Sequence, residues 1–223
     1  MSRPPPPPDD ALPGAGQSCD PSHISEAGWK GRPIAVESSR KLPTIAVLYC
    51  RERSVYANFP GVDLWPASRD ATLYEGPSPI VAHPPCGPWG SLKAQCRHQN
   101  PDHARKAIRS LALYGGVLEH PWKSTLFQDS GWNPRHAEVS LFGPLMLLLD
   151  QFDFGHLIRK RTWLAIYPPL TPLPPLPTKR RSKPIRAYSS LSQKQRETTP
   201  PDFAAWLLEI ARNAGRLLEI PRL

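Results

Sequence analysis

Residues 79–83, Pro-Ile-Val-Ala-His, and residues 100–121, Asn-Pro-Asp-His-Ala-Arg-Lys-Ala-Ile-Arg-Ser-Leu-Ala-Leu-Tyr-Gly-Gly-Val-Leu-Glu-His-Pro, decide the fold. The first is a short apolar run that ends in His83-Pro84-Pro85, and proline cannot donate to a strand ladder. In the second, Asn100 is a good helix cap, Pro101 suits a first turn and Asp102 favours the positive end of a helix dipole. Ala104, Ala107, Ile108, Leu111 and Ala112 then recur at helical spacing, and Gly115-Gly116 ends the helix. Val117-Leu118-Glu119 follows as a strand, which His120-Pro121 is expected to stop. Strand, helix and strand in this order predict a parallel sheet of α/β type.

Working outward, Thr44–Tyr49 and Gly61–Trp65 read as two earlier strands. Leu145–Phe152 and Thr162–Tyr167 read as two later ones, with Asp153–His156 in a turn between them. Four regions result. Residues 1–43 form a proline-rich tail without apolar periodicity. Residues 44–167 form the α/β domain, and residues 168–198 a proline-rich and basic loop. Residues 199–223 form a closing helix that packs on the domain through Phe203, Trp206, Leu207, Ile210 and Ala211.

The 223 residues include 30 prolines, so the ordered part is expected to be one domain of about 150–170 residues. Lys plus Arg outnumber Asp plus Glu by 28 to 19, a net charge of +9 that points to a polyanion, with nucleic acid ahead of membrane. The four cysteines have no regular spacing, and neither a secretory leader nor a membrane-spanning run is legible. A cytoplasmic setting with free thiols is the expectation.

Three features carry chemistry. Cys86 follows a strand on a stiff Pro-Pro turn, at the edge where α/β sheets bind ligands. Glu119 ends the next strand at the same edge, where burial is expected to raise its pKa and make it a proton donor. Arg159, Lys160 and Arg161 precede the last strand and suit a phosphate or a carboxylate.

Taken in series, these residues resemble the DNA cytosine-C5 methyltransferases. Pro84-Pro-Cys-Gly-Pro-Trp-Gly90 is similar to that family's Pro-Cys nucleophile loop. Leu118-Glu119-His120 is similar to its Glu-Asn-Val motif. Asp153-Phe-Gly, followed by Arg159-Lys-Arg161, resembles its Asp-Tyr-Gly and Arg-x-Arg stretch, and Arg196–Pro200 weakly resembles its Arg-x-Leu-Thr motif. The phrases His83-Pro-Pro-Cys86, Trp89-Gly90 and Leu118-Glu-His-Pro121 are also similar to small phage and prophage proteins. The resemblance covers roughly residues 44–167.

The resemblance implies a reduced Rossmann-like methyltransferase fold, with S-adenosyl-L-methionine as cofactor and DNA as partner. Cys86 is then the nucleophile for cytosine C6. Glu119 contacts the N3 edge, Arg159 and Arg161 position it or the base, and the base leaves the stack to react. Asp63 stands where the family places an acid on the cofactor ribose, Asp70 where it places one near the adenine, and Pro84 flanks the same site. Lys179, Arg180, Arg181, Lys183 and Arg186 are expected on phosphates. His83 and the arginines are expected to favour the Cys86 thiolate.

The departures are specific. No glycine occurs in residues 48–56, where the family has its glycine-rich cofactor loop. Gly87 and His120 replace the family's Gln and Asn. Residues 168–198 leave room for no separate target-recognition domain. These departures fit an alternative, a catalytically inactive nucleic-acid-binding protein on the same scaffold. A zinc-binding module using His83, Cys86, Cys96 and His98 is a second alternative, although the spacing matches no common zinc pattern. An enzyme acting on a free pyrimidine nucleotide is a third.

Overall fold

The computed structural model describes residues 44–91, 93–96, 100–132, 143–169, 172–177 and 188–219. Six strands form one sheet: β1 (Ile45–Cys50), β2 (Val62–Pro66), β3 (Ile80–Ala82), β4 (Gly116–Pro121), β5 (Leu145–Asp150) and β6 (Arg161–Tyr167). Their order across the sheet is β2-β1-β3-β4-β6-β5. The pairs β2–β1, β1–β3 and β3–β4 are parallel, whereas β6 runs antiparallel to both β4 and β5. The result is an α/β fold with a mostly parallel sheet, compatible with a Rossmann-like arrangement.

Alternation along the strands divides the core into two layers. Ile45, Val47, Val81, Val117, Leu164 and Ile166 face one side. There they meet Phe203, Trp206, Leu207, Ile210 and Ala211 of α4 (Pro201–Glu219), the last of the four described helices. Ala46, Leu48, Ile80, Ala82, Leu118 and Ala165 face the other side. That side packs Ala104, Ala107 and Leu111 of α1 (Asp102–Tyr114), together with Leu126 and Phe127 of the one-turn α2 (Leu126–Asp129). Apolar burial on both faces is the main force holding the layers together.

The joint between α1 and β4 requires glycine. Gly115 caps the helix at φ 71°, and Gly116 follows at φ 121°. A Cβ on Gly116 would lie 2.0 Å from the Ile80 carbonyl oxygen, so β4 can pair with β3 at that point only without a side chain. At the other end of the helix, the Asn100 side chain accepts the Asp102 N–H at 2.9 Å.

Three expectations change. His120-Pro121 does not stop β4. The strand runs through both residues because β6 pairs alongside, with His120 opposite Trp163 and Pro121 opposite Thr162. The fifth strand ends at Asp150, whose carboxylate accepts the Phe152 N–H and turns residues 151–154 into a 3-10 segment. The stretch expected to be loop contains α3 (Gln193–Glu197), started by a capping box between Ser192 and Gln195.

Candidate active site

The C-terminal ends of β1, β3 and β4 form one edge, and the side chains there follow strand parity. His83 and Glu119 continue the α4 side after Val81 and Val117, and Thr162 joins them from β6 two residues before Leu164. His83 remains in the ladder, its N–H bonded to the Leu48 carbonyl at 3.1 Å.

Glu119 is the hub of this cluster, its side chain 12% exposed. One carboxylate oxygen accepts from Gln151 Nε2 at 3.0 Å and from the Thr162 hydroxyl. The other lies 3.1 Å from His83 Nδ1, and His83 Nε2 lies 2.8 Å from the Tyr56 hydroxyl. Tyr56 is buried, on the 3-10 turn Val55–Asn58 that follows β1.

The electrostatics correct the expectation for Glu119. Burial does push its carboxyl up, but the His83 hydrogen bond, the charge of Lys160 and the Thr162 hydroxyl together outweigh that and hold it at about 2. Glu119 is therefore a charged acceptor at neutral pH and not a proton donor. Burial lowers the Lys160 ammonium, against the attraction of Glu119, Glu197 and Cys86.

Cys86 is exposed and unbridged on the loop after β3. Its carbonyl accepts from Gly90 N at 2.8 Å and Trp89 N at 3.1 Å, which folds residues 86–90 into a tight turn. The expectation that positive neighbours favour the thiolate also changes. Desolvation and the Glu119 charge push the thiol above its ordinary value.

A cleft of about 350 Å³ opens on the α1 side of the same edge. Tyr49, Cys50, Pro66, Ala67, Asp70, Ala71, Pro85 and His103 line it. It sits where β2 and β3 leave β1 in opposite directions, the switch point at which open α/β sheets bind ligands. Tyr49 and Asp70 are the two non-glycine residues with positive φ among the described residues, 59° and 45°, and both line this cleft. Tyr49 breaks the β1–β2 register and donates its hydroxyl to the His103 carbonyl at 2.9 Å. Hydrogen bonds from the Thr72 hydroxyl and backbone hold the Asp70 carboxyl below its usual range.

The structure thus brings together Cys86 and Glu119, with Asp70 in the adjoining cleft and Pro84 buried. Asp63 lies near the start of β2, where Arg69 and the Trp65 indole occupy its carboxylate, and it does not line the cleft. Arg159 pairs with Asp150 at 3.3 Å, and exposed Arg161 sits over the Trp122 ring at 5.6 Å. Lys160 between them is the residue whose charge reaches Glu119. The basic residues Lys179, Arg180, Arg181, Lys183 and Arg186 lie outside the described residues, as does His98 of the zinc alternative. Among the described residues no His, Cys, Asp and Glu group of three or more could hold a metal ion. No helix there is long and apolar enough to cross a membrane.

No protein family, curated protein or solved structure matches the chain.

Tyr56, Gln151, Thr162, Tyr49 and His103 are site residues that motif reading does not single out. Thr162 and Gln151 reach Glu119 because β6 returns antiparallel beside β4. A Thr two residues before an apolar strand core carries that signal only once the pairing is known.

Proposed function

We propose that this chain is a DNA cytosine-C5 methyltransferase-like enzyme on a reduced Rossmann-like methyltransferase fold. One observation carries the reading. The Cys86 loop stands between a charged, hydrogen-bonded Glu119 on one face of the sheet edge and a switch-point cleft on the other. A Cys nucleophile needs a group to hold the base on one side and a methyl source on the other.

The cleft residues suit a nucleoside-type cofactor. Ionised Asp70 would accept hydrogen bonds from ribose hydroxyls or an exocyclic amine, with Tyr49, Pro66 and Pro85 as apolar walls. S-adenosyl-L-methionine, when bound there, supplies the methyl group that C5 accepts. On the protein side, exposed Cys86 would give its proton to solvent and add through sulfur to C6 of an extruded cytosine. Glu119, with one of its four lone-pair sites still open, accepts from the exocyclic amine. Once C5 is methylated, loss of the C5 proton to water restores the C5–C6 double bond and expels the Cys86 thiolate.

The raised Cys86 thiol favours a second reading, a DNA-binding protein that keeps the scaffold without the reaction. Transfer of radiolabelled methyl from S-adenosyl-L-methionine to cytosine-containing DNA separates the two. The enzyme reading expects label in DNA from the wild-type chain and none from Cys86→Ala. DNA binding with no label in either chain would establish the scaffold reading.

A further inference from the structure

We propose that Tyr56 and His83 act as a positioning relay for Glu119, with His83 donating to it from Nδ1. The proposal rests on the reading of Glu119 as part of the active site. Glu119 Oε1 is occupied by Gln151 and Thr162, and Oε2 faces His83 Nδ1 at 3.1 Å. An ionised carboxylate only accepts hydrogen bonds, so Nδ1 donates. Nε2 faces the Tyr56 hydroxyl at 2.8 Å, a group that can donate to a bare ring nitrogen or accept from a protonated one. Burial and the Glu119 charge keep the phenol protonated, so both directions stay open to it.

The chain of bonds ends in the core. Tyr56 is 1% exposed and packs in the layer covered by α4, so no proton leaves by this route. What it supplies is orientation. His83 is set by the β3 ladder at its backbone, by Tyr56 at Nε2 and by Glu119 at Nδ1. The remaining site of Glu119 therefore points in one direction before a base arrives. Lys160, Cys86 and His120 are further charged or titratable groups close to this carboxylate, with Glu197 and Arg51 beyond Lys160.

Nitrogen-15 NMR of the His83 ring at neutral pH, on the full chain, is the direct test. The expected signature is a ring that carries a proton on Nδ1. A ring protonated at Nε2 alone would overturn the proposal. Side-chain substitutions supply a second readout, the rate of Cys86 adduct formation with 5-fluorocytosine DNA. His83→Asn keeps a donor at the Nδ1 position but drops the Tyr56 bond, and its rate is expected to fall between wild type and His83→Leu. His83→Gln and His83→Leu are expected to lose at least about tenfold, the worth of one hydrogen bond to a charged group. Their loss should fall on the rate of adduct formation with DNA affinity close to wild type, and the melting temperature of His83→Leu should fall as well, because a buried carboxylate and a buried hydroxyl each lose a partner. Equal rates in His83→Asn, His83→Gln and His83→Leu would contradict the relay. Should the wild-type chain form no adduct, the methyltransferase reading fails, and the ring tautomer still decides the relay.

Discussion

Burial opposes a charge on Glu119, and the groups around it reverse that outcome. Its carboxyl is held at about 2 against an ordinary 4.5. A folded value below the unfolded one contributes stability that is present above about pH 4.5 and lost as pH falls through 2. His120 has the same sign for a different reason. It is fully buried beside the Phe127 ring, and desolvation, only partly offset by Glu119 and the Pro85 backbone, lowers its pKa from 6.5 to about 4. The unfolded chain binds that proton more readily, so the stability is present above pH 6.5 and lost as pH falls through 4. Urea midpoints at pH 7 and pH 4.5 should therefore drop on acidification. His120→Leu should shrink the drop without removing it, because His156 is lowered in the same direction. An equal drop in wild type and variant would refute the assignment to His120.

Cys86 gives a second test at this scale. Desolvation and Glu119 raise its thiol, so iodoacetamide should modify it slowly at neutral pH, with a midpoint above the ordinary value of 9.0. Glu119→Gln removes one raising charge and should move that midpoint down. No movement would show that the two groups do not sense each other. The placement of Cys86 and Glu119 at one sheet edge was legible in the sequence from strand ends and turn prolines. The charge state of each was not, because it depends on Thr162, Gln151 and Lys160, which reach the site through tertiary pairing.

Among the elements, the strand–helix–strand unit was the most legible. Helical spacing between Ala104 and Leu111, an Asn cap and a Gly-Gly stop are local signals, and α1 and β4 follow them. The extension of β4 through Pro121 was not legible, since it arises from the antiparallel return of β6. Gly116→Ala tests how tightly this unit is joined. Its positive φ and the approach to the Ile80 carbonyl leave no room for a methyl group. The urea midpoint should fall well below wild type, whereas Gly131→Ala, at positive φ but in open space, should cost less. On the opposite face, Leu207→Ala in α4 should destabilise by about 2–5 kcal/mol, as for other fully buried leucines. A change under about 1 kcal/mol would mean that α4 does not pack on the sheet as described.

For the whole molecule, sequence showed an α/β class with a basic balance, and the structure adds the strand order that creates a switch point between β1 and β3. Without glycines after β1, sequence pointed away from a cofactor loop. The structure places Tyr49 there in a left-handed conformation beside a cleft. If the cleft holds S-adenosyl-L-methionine, Asp70→Asn should weaken its binding by calorimetry about tenfold, the worth of a hydrogen bond to a charged group. Unchanged affinity would remove Asp70 from the site. For DNA, replacing Lys179, Arg180 and Arg181 by Ala should weaken binding uniformly across sequences. The slope of log affinity against log salt should fall by about 0.9 for each phosphate that is no longer neutralised.

The most direct test of the central claim is covalent trapping on 5-fluorocytosine DNA in the presence of S-adenosyl-L-methionine. Fluorine at C5 blocks the elimination that would free the enzyme, so a chain that adds through Cys86 stays attached. The account predicts a denaturation-resistant complex with wild-type protein, mapped by peptide mass to Cys86 and missing in Cys86→Ala. Cofactor and DNA binding without such a complex, or a complex that persists in Cys86→Ala, would contradict it.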